Sequence, residues 1–190
     1  MSFLSSLKSI TFEMSFWLRC LVPGTSFLAV YYPTPDHIIH RMFHLSQLKR
    51  EDTLLDLGCG DGRVLIAASK LHGCRGIGYE LDATLASEAI LNVKREKLDH
   101  LITIVHGDAM KADASVPQAT VIAMYLSERG NKSLVQRYHK AIRPGTRLVS
   151  FFFPIEGWEP NLKATDSQDN MSVYLYKSPG QNDRDSAKSS

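Results

Sequence analysis

The chain has 190 residues, 44% of them apolar and 22% charged, with a formal net charge of +2. Those values fit one globular domain with a full core and exclude a strong electrostatic bias toward nucleic acid or an anionic membrane. Cys20, Cys59 and Cys74 are odd in number and share no metal-ligand spacing, the pattern of a reduced intracellular protein without a disulfide framework.

Residues 1–30 stand apart. Apolar side chains crowd them from Phe3 and Leu4 through Trp17 and Leu18 to Val22, interrupted by Lys8, Glu13 and Arg19 and broken at Pro23-Gly24. No uncharged, unbroken run reaches the roughly 20 residues a bilayer requires. A cleavable secretory signal fits poorly, because no basic residue precedes the apolar stretch and no clean small-residue cleavage site follows it. The serines, Lys8 and Arg19 suit a mitochondrial presequence, and Glu13 opposes it. An amphipathic helix that packs on the domain or lies on a membrane fits as well. The expected compartment is therefore cytoplasmic or mitochondrial.

Tyr31-Tyr32-Pro33-Thr34-Pro35 reads as an extended lead-in, since each proline biases its predecessor away from helix. Residues 36–48 carry apolar side chains at Ile38, Ile39, Met42, Phe43, Leu45 and Leu48, a helical spacing. Asp36 is placed to cap that helix. His37, His40 and His44 share one of its faces, and with nothing else in the chain pointing to a metal they read as a solvated histidine face. A mostly apolar run at 53–57 then ends in Asp56-Leu57-Gly58-Cys59-Gly60-Asp61-Gly62-Arg63 and passes directly into a helical pattern. Strand, glycine turn, helix is the opening of a nucleotide-binding βαβ unit. Arg63 stands where a dinucleotide fingerprint would place its third glycine, and Asp56 and Asp61 flank the loop. Carboxylates there repel a diphosphate and attract a ligand carrying sulfonium and ammonium groups.

Residues 75–80 read as a second strand ending in Glu80, close to the spacing of about 20 residues at which such folds place a ribose-binding carboxylate. A helix follows over 82–97, with Leu85, Ala86, Ala89, Ile90 and Val93 inward. A third strand at 101–105 leads to His106-Gly107-Asp108-Ala109-Met110. The fourth, at 119–125, is nearly all apolar, as a central parallel strand should be. It runs into Tyr125-Leu126-Ser127-Glu128, and a helix is expected over 132–142. A fifth strand spans 148–153. Residues 171–177 suit a final antiparallel strand with a short partner at 161–166. Residues 178–190 read as a polar, disordered tail.

The segment from Asp56 to Gly62 resembles the first motif of class I S-adenosylmethionine-dependent methyltransferases. That resemblance implies a Rossmann-like, doubly wound α/β fold, a seven-stranded sheet mostly parallel with one antiparallel strand, over residues 31–177. It also implies S-adenosyl-L-methionine as cofactor, held by Asp56, Gly58, Cys59, Gly60, Asp61, Gly62, Glu80, Asp108 and Ala109, with Asp108 facing the adenine amino group. Many amide and base methyltransferases carry Asn or Asp, Pro-Pro and an aromatic after the fourth strand. Tyr125-Leu126-Ser127 occupies that place here, which disfavours their chemistry.

Tyr31 with Pro33-Thr34-Pro35, the glycine loop, residues 76–80, Tyr125-Leu126 and the run from Pro144 to Ser150 occur in one order. In that order they resemble a compact group of methyltransferases that includes mitochondrial protein-lysine methyltransferases. The resemblance implies a lysine side chain of a protein as acceptor; the small net charge gives no expectation of a nucleic-acid partner, and the apolar residues 1–30 leave membrane association open. Tyr31, Thr34, Tyr125 and Ser127 are the candidates for the acceptor channel. A small-molecule methyltransferase, or an interaction protein that retained the fold, stays open as an alternative.

Overall fold

The computed structural model describes residues 31–180. The readings of residues 1–30, and of the tail beyond 180, lie outside them. The chain forms helix α1 (Asp36–Ser46), strand β1 (Thr53–Leu57), α2 (Arg63–His72), β2 (Arg75–Glu80), α3 (Ala83–Arg95), β3 (Ile102–His106), β4 (Val121–Met124), α4 (Glu128–Tyr138), β5 (Arg147–Phe151), β6 (Leu162–Gln168) and β7 (Met171–Lys177).

The seven strands make one sheet in the order β3-β2-β1-β4-β5-β7-β6. The first five are parallel, and β7 runs antiparallel to both of its neighbours. This is the doubly wound fold expected from the alternation of apolar runs and helical patterns. Strand order reverses between β1 and β4, so the carboxyl ends of those two strands open the crevice in which such folds bind ligands.

Alternation along β1 divides the core between the sheet's two faces. Leu54 points into a cluster with Ile38, Met42 and Phe43 of α1 and Leu65 of α2. Leu55 and Leu57 join Leu134, Val135 and Tyr138 of α4 on the opposite face. β1 and β4 are buried along almost their whole length.

Local chemistry moves several boundaries. α1 begins at Asp36 after an extended Pro35, and the Asp36 side chain makes no capping bond; its acid complements the helix dipole instead. α4 begins four residues earlier than the apolar spacing suggests, because the Ser127 hydroxyl caps it by accepting the Gly130 N–H at 3.1 Å. β5 stops at Phe151 where Phe152 turns into the left-handed region, at φ 70°. On α3 the buried residues are Ala86, Ala89 and Val93, while Ile90 is exposed. The alanines matter there, since a Cβ on Gly62 would come within 3.3 Å of the Ala89 Cβ. Ser178 belongs to the packed domain and not to a tail: it is buried, and its backbone exchanges hydrogen bonds with Gly145 and Thr146. His37, His40 and His44 are exposed. Among the described residues no cluster of His, Cys, Asp or Glu is arranged to hold a metal, and no helix is long and apolar enough to cross a membrane.

Candidate active site

The loop after β1 turns sharply through Gly58, Gly60 and Gly62, all at positive φ (101°, 54° and 81°). Gly58 and Cys59 both donate their N–H groups to the Tyr79 carbonyl at 2.9 Å, and Gly62 donates to the Cys59 carbonyl. Gly60 donates to Glu80 Oε2 at 2.8 Å. With these four donors committed inside the protein, the loop lacks the converging free N–H groups that cradle phosphate. A dinucleotide reading fails on geometry as well as on spacing.

Cys59 turns inward. Its sulfur lies where a Cβ on Gly78 would approach to 2.7 Å, and burial, then Asp56 and Glu80, push its thiol well above the ordinary range. Cys59 therefore offers the site its backbone and supports the loop from beneath.

Three carboxylates converge on this turn. Asp56, on β1, is 5% exposed, and its carboxyl is pushed up to about 7 by burial, then by Glu80 and Asp61. Glu80, at the end of β2, is held by the Gly60 N–H on one oxygen and the Asp82 N–H at 2.9 Å on the other. Each oxygen retains a lone pair for an incoming hydroxyl. Asp61 behaves differently. Burial pushes its carboxyl up, yet hydrogen bonds from Arg63 hold it below the ordinary range. Arg63 Nε lies 3.0 and 3.1 Å from the two Asp61 oxygens and Nη2 lies 2.7 Å from Oδ2. Asn92 of α3 fixes the Asp61 carbonyl from below at 3.0 Å.

β2 and β3 pair Glu80 with His106, and Gly107 donates to the Glu80 carbonyl at 2.8 Å. Asp108 therefore stands beside Glu80 at the sheet's carboxyl edge. Its side chain caps a short 3-10 turn, Ala109–Lys111, by accepting the Met110 N–H. Ala109 is buried, and its carbonyl accepts the Tyr138 hydroxyl at 2.8 Å. That same hydroxyl accepts the Ala112 N–H at 2.6 Å.

The acceptor candidates lie on two sides of the loop. The Tyr31 ring presses on Gly60, where a Cβ would meet it at 2.4 Å, and burial, then the nearby Asp61, push its hydroxyl above the ordinary range. Thr34 is buried. Tyr125 follows β4 with its ring 4.5 Å from that of Phe151. Ser127 caps α4, and Leu126 between them packs on the loop, with Cδ2 3.0 Å from a Cβ built at Gly58.

The comparisons with known proteins agree with this geometry. The family described as ANTKMT methyltransferase domain matches residues 56–163. A protein-lysine N-methyltransferase of Saccharolobus islandicus (strain REY15A) is 36% identical over 149 residues, 77% of this chain and 91% of that protein. The chain belongs to the ANTKMT methyltransferase family. Like other members it is an S-adenosylmethionine-dependent methyltransferase. The adenine nucleotide translocase lysine N-methyltransferase of Mus musculus is 26% identical over 125 residues, 66% of this chain and 54% of that protein. Among solved structures, an RNA methyltransferase from Salinibacter ruber in complex with S-adenosyl-L-homocysteine superposes with a TM-score of 0.74 at 34% identity, covering 78% of this chain and 94% of that one.

The residues of this methyltransferase fit that cofactor. A cluster of acids with no free anion cradle suits a ligand bearing two positive charges, and Glu80 offers open acceptors of the kind that ribose hydroxyls require. Arg63, Asn92 and Tyr138 escaped the sequence reading as supports of the site. Only Arg63 carried a signal, an arginine two residues after a loop acid. The other two act through contacts 31 and 29 residues away in sequence.

Proposed function

We propose that this methyltransferase transfers methyl groups to the side-chain amine of lysine in a protein. The observation that carries the reading is the 36% identity to a protein-lysine N-methyltransferase along 91% of that protein's length. The end of β4 supports it: Tyr125-Leu126-Ser127 offers an aromatic face and a hydroxyl in place of the amide and paired prolines suited to base or amide acceptors.

When bound, S-adenosylmethionine supplies an electrophilic methyl on a sulfonium. Asp56 holds the cofactor's ammonium end from β1, Glu80 accepts its ribose hydroxyls, and Asp108 with Ala109 lines the adenine. The buried acids attract the lysine ammonium to the crevice, and the apolar wall of Tyr125 and Phe151 desolvates it, which lowers its pKa from about 10.4. The neutral amine then attacks in line. The cofactor would supply the methyl to the amine's lone pair, with the carbon–sulfur electrons leaving on sulfur and the proton of the methylated ammonium lost to water. Alignment and exclusion of water are the protein's contribution, so no dedicated base is required.

The test is transfer of label from methyl-tritiated S-adenosylmethionine in a cell extract. Label recovered as methyl-lysine after protein hydrolysis supports the reading. Label confined to RNA, the acceptor named for the Salinibacter ruber protein, or to small solutes overturns it.

A further inference from the structure

We propose that Asn131 is a positioning residue of methyl transfer: it holds a strained turn after β5 that sets the Phe152 ring, with Tyr125, as an aromatic wall for the acceptor's ammonium group. This rests on the lysine reading above. Phe152 has a φ of 70°, a conformation that bulky side chains resist and that persists only where the surroundings enforce it. The chain closes there within three residues, the Phe153 N–H donating to the Phe151 carbonyl at 2.9 Å.

Buried polar groups enforce the turn. Asn131 is fully buried. Its Nδ2 donates to Ser150 Oγ at 2.9 Å and to the Phe153 carbonyl at 3.3 Å, and Ser150 Oγ donates to that same carbonyl at 2.6 Å. The Asn131 backbone N–H donates to the Ser127 carbonyl at 2.9 Å. One residue therefore ties the segment after β4 to the turn after β5. Asn131 Oδ1 has no partner among the described residues, a cost in stability that a leucine of similar size would not incur. That cost argues for a task beyond packing.

The turn lies level with the crevice. β4 and β5 pair Met124 with Ser150, and two residues further on stand Leu126, which packs on Gly58, and Phe152. The rings of Tyr125, Phe151 and Phe152 follow one another at centroid distances of 4.5 and 6.0 Å. Tyr125 and Phe152 are both half-buried, and both pack on the core cluster beneath α1. Aromatic faces in such a place attract an ammonium group and its methylated forms.

The experiment compares the full chain with Phe152→Leu, Phe152→Tyr, Asn131→Ala and the Asn131→Ala/Phe152→Leu double variant. Each receives saturating methyl-tritiated S-adenosylmethionine in a cell extract; total label is read, with cofactor affinity from calorimetry and the melting temperature alongside. Phe152→Leu keeps apolar packing and loses the aromatic face, so label should fall about fivefold with cofactor affinity held. Phe152→Tyr should recover most of that loss. Asn131→Ala should lose a similar factor, and the double variant little more than either. A merely structural role predicts that label follows melting temperature whichever side chain stands at 152. That result overturns the proposal, as does a loss traced to weaker cofactor binding. The fluorine resonance of 4-fluorophenylalanine at position 152 should shift in Asn131→Ala, and also when n-butylammonium is added to the S-adenosylhomocysteine complex. An unmoved resonance in either case overturns it. If the unaltered protein labels no protein, the lysine reading fails, and the resonance still decides whether Asn131 sets the turn.

Discussion

Strand β1 carries a buried aspartate at each end, and the two are treated in opposite ways. Asp52, just before the strand, is 7% exposed and Asp56, within it, 5%. Asp52 accepts the Lys49 N–H at 2.7 Å and the Thr120 hydroxyl at 2.6 Å, and it pairs with the Arg147 guanidinium. Burial pushes its carboxyl up, but Thr120 and Arg147 outweigh that and hold it below the ordinary range. Arg147 also donates to the Gln47 carbonyl at 2.8 Å, so this end ties α1, β1, β4 and β5 together. Asp56 instead faces other acids, and its carboxyl rises to about 7. One end of the sheet satisfies its charge internally. The other leaves its acid uncompensated, at a cost in stability, and so with a charge that suits a cationic ligand.

That contrast can be broken at either end. Asp52→Ala removes the carboxylate shared by the Lys49 N–H, the Thr120 hydroxyl and the partly exposed Arg147 and should destabilise the fold by about 2 kcal/mol, read from urea unfolding, with cofactor affinity held within about twofold. Because Asp52 titrates below its unfolded value, its contribution is present above about pH 4 and lost as pH falls through the lowered folded value.

Asp56→Asn should do the reverse. Cofactor affinity falls about a hundredfold by calorimetry, the loss of a charge-assisted contact. The folded state keeps the Asp56 proton up to about pH 7, whereas an unfolded aspartate loses it near pH 4, so folding stability declines as pH rises between those values. Cofactor-free Asp56→Asn should consequently melt at a higher temperature than the natural protein at pH 8, with the gap closing toward pH 5. A variant that melts lower at both pH values would mean that Asp56 is satisfied in a way the acid cluster does not suggest.

The same titration sharpens the binding step. A cationic ligand favours ionised Asp56, so affinity for S-adenosylmethionine should rise by up to about tenfold per pH unit below pH 7 and level off above it. Calorimetry at pH 6 in buffers of different ionisation enthalpy should detect the released proton. The smallest effect belongs to a pair remote from both ends. Lys70→Ala removes an exposed ion pair with Glu96 at 2.8 Å and should change stability by less than about 0.5 kcal/mol.

The two aspartates also mark how far the sequence could be read. Asp56 was legible because a local pattern surrounds it: strand, alternate glycines, then Glu80 and Asp108 at the ends of the next two strands. Strand limits at Thr53–Leu57, Arg75–Glu80 and Met171–Lys177 were legible for the same reason, being apolar or alternating runs bounded by polar turns. Asp52 was not. Its partners Thr120 and Arg147 are 68 and 95 residues away, and only the parallel pairing of β1, β4 and β5 brings them together. The start of α4 was missed because residues 128–132 carry no apolar side chain and gave no periodic signal until Leu134, while the capping Ser127 directly follows Leu126 at the end of the apolar β4 run. Asp61 lies in the loop as read, but the packing of the Tyr31 ring on Gly60 beside it depends on where the lead-in crosses the turn. Spacing does not encode that.

Strand β6, at the far margin of the sheet, has a consequence of a different kind. Its outer backbone is the natural place for a foreign strand to add. The chain shifts register there between Leu162 and Ala164, and Lys163 and Asp166 bring charge to the same short segment. Arg41 donates to both oxygens of the Asp166 side chain, to the Asp166 carbonyl at 2.8 Å and to the Met171 carbonyl of β7 at 3.0 Å. An irregular, charged and anchored margin makes a poor template for further pairing. Edge-to-edge pairing through β6 is thereby discouraged by the same residues that fasten it to α1.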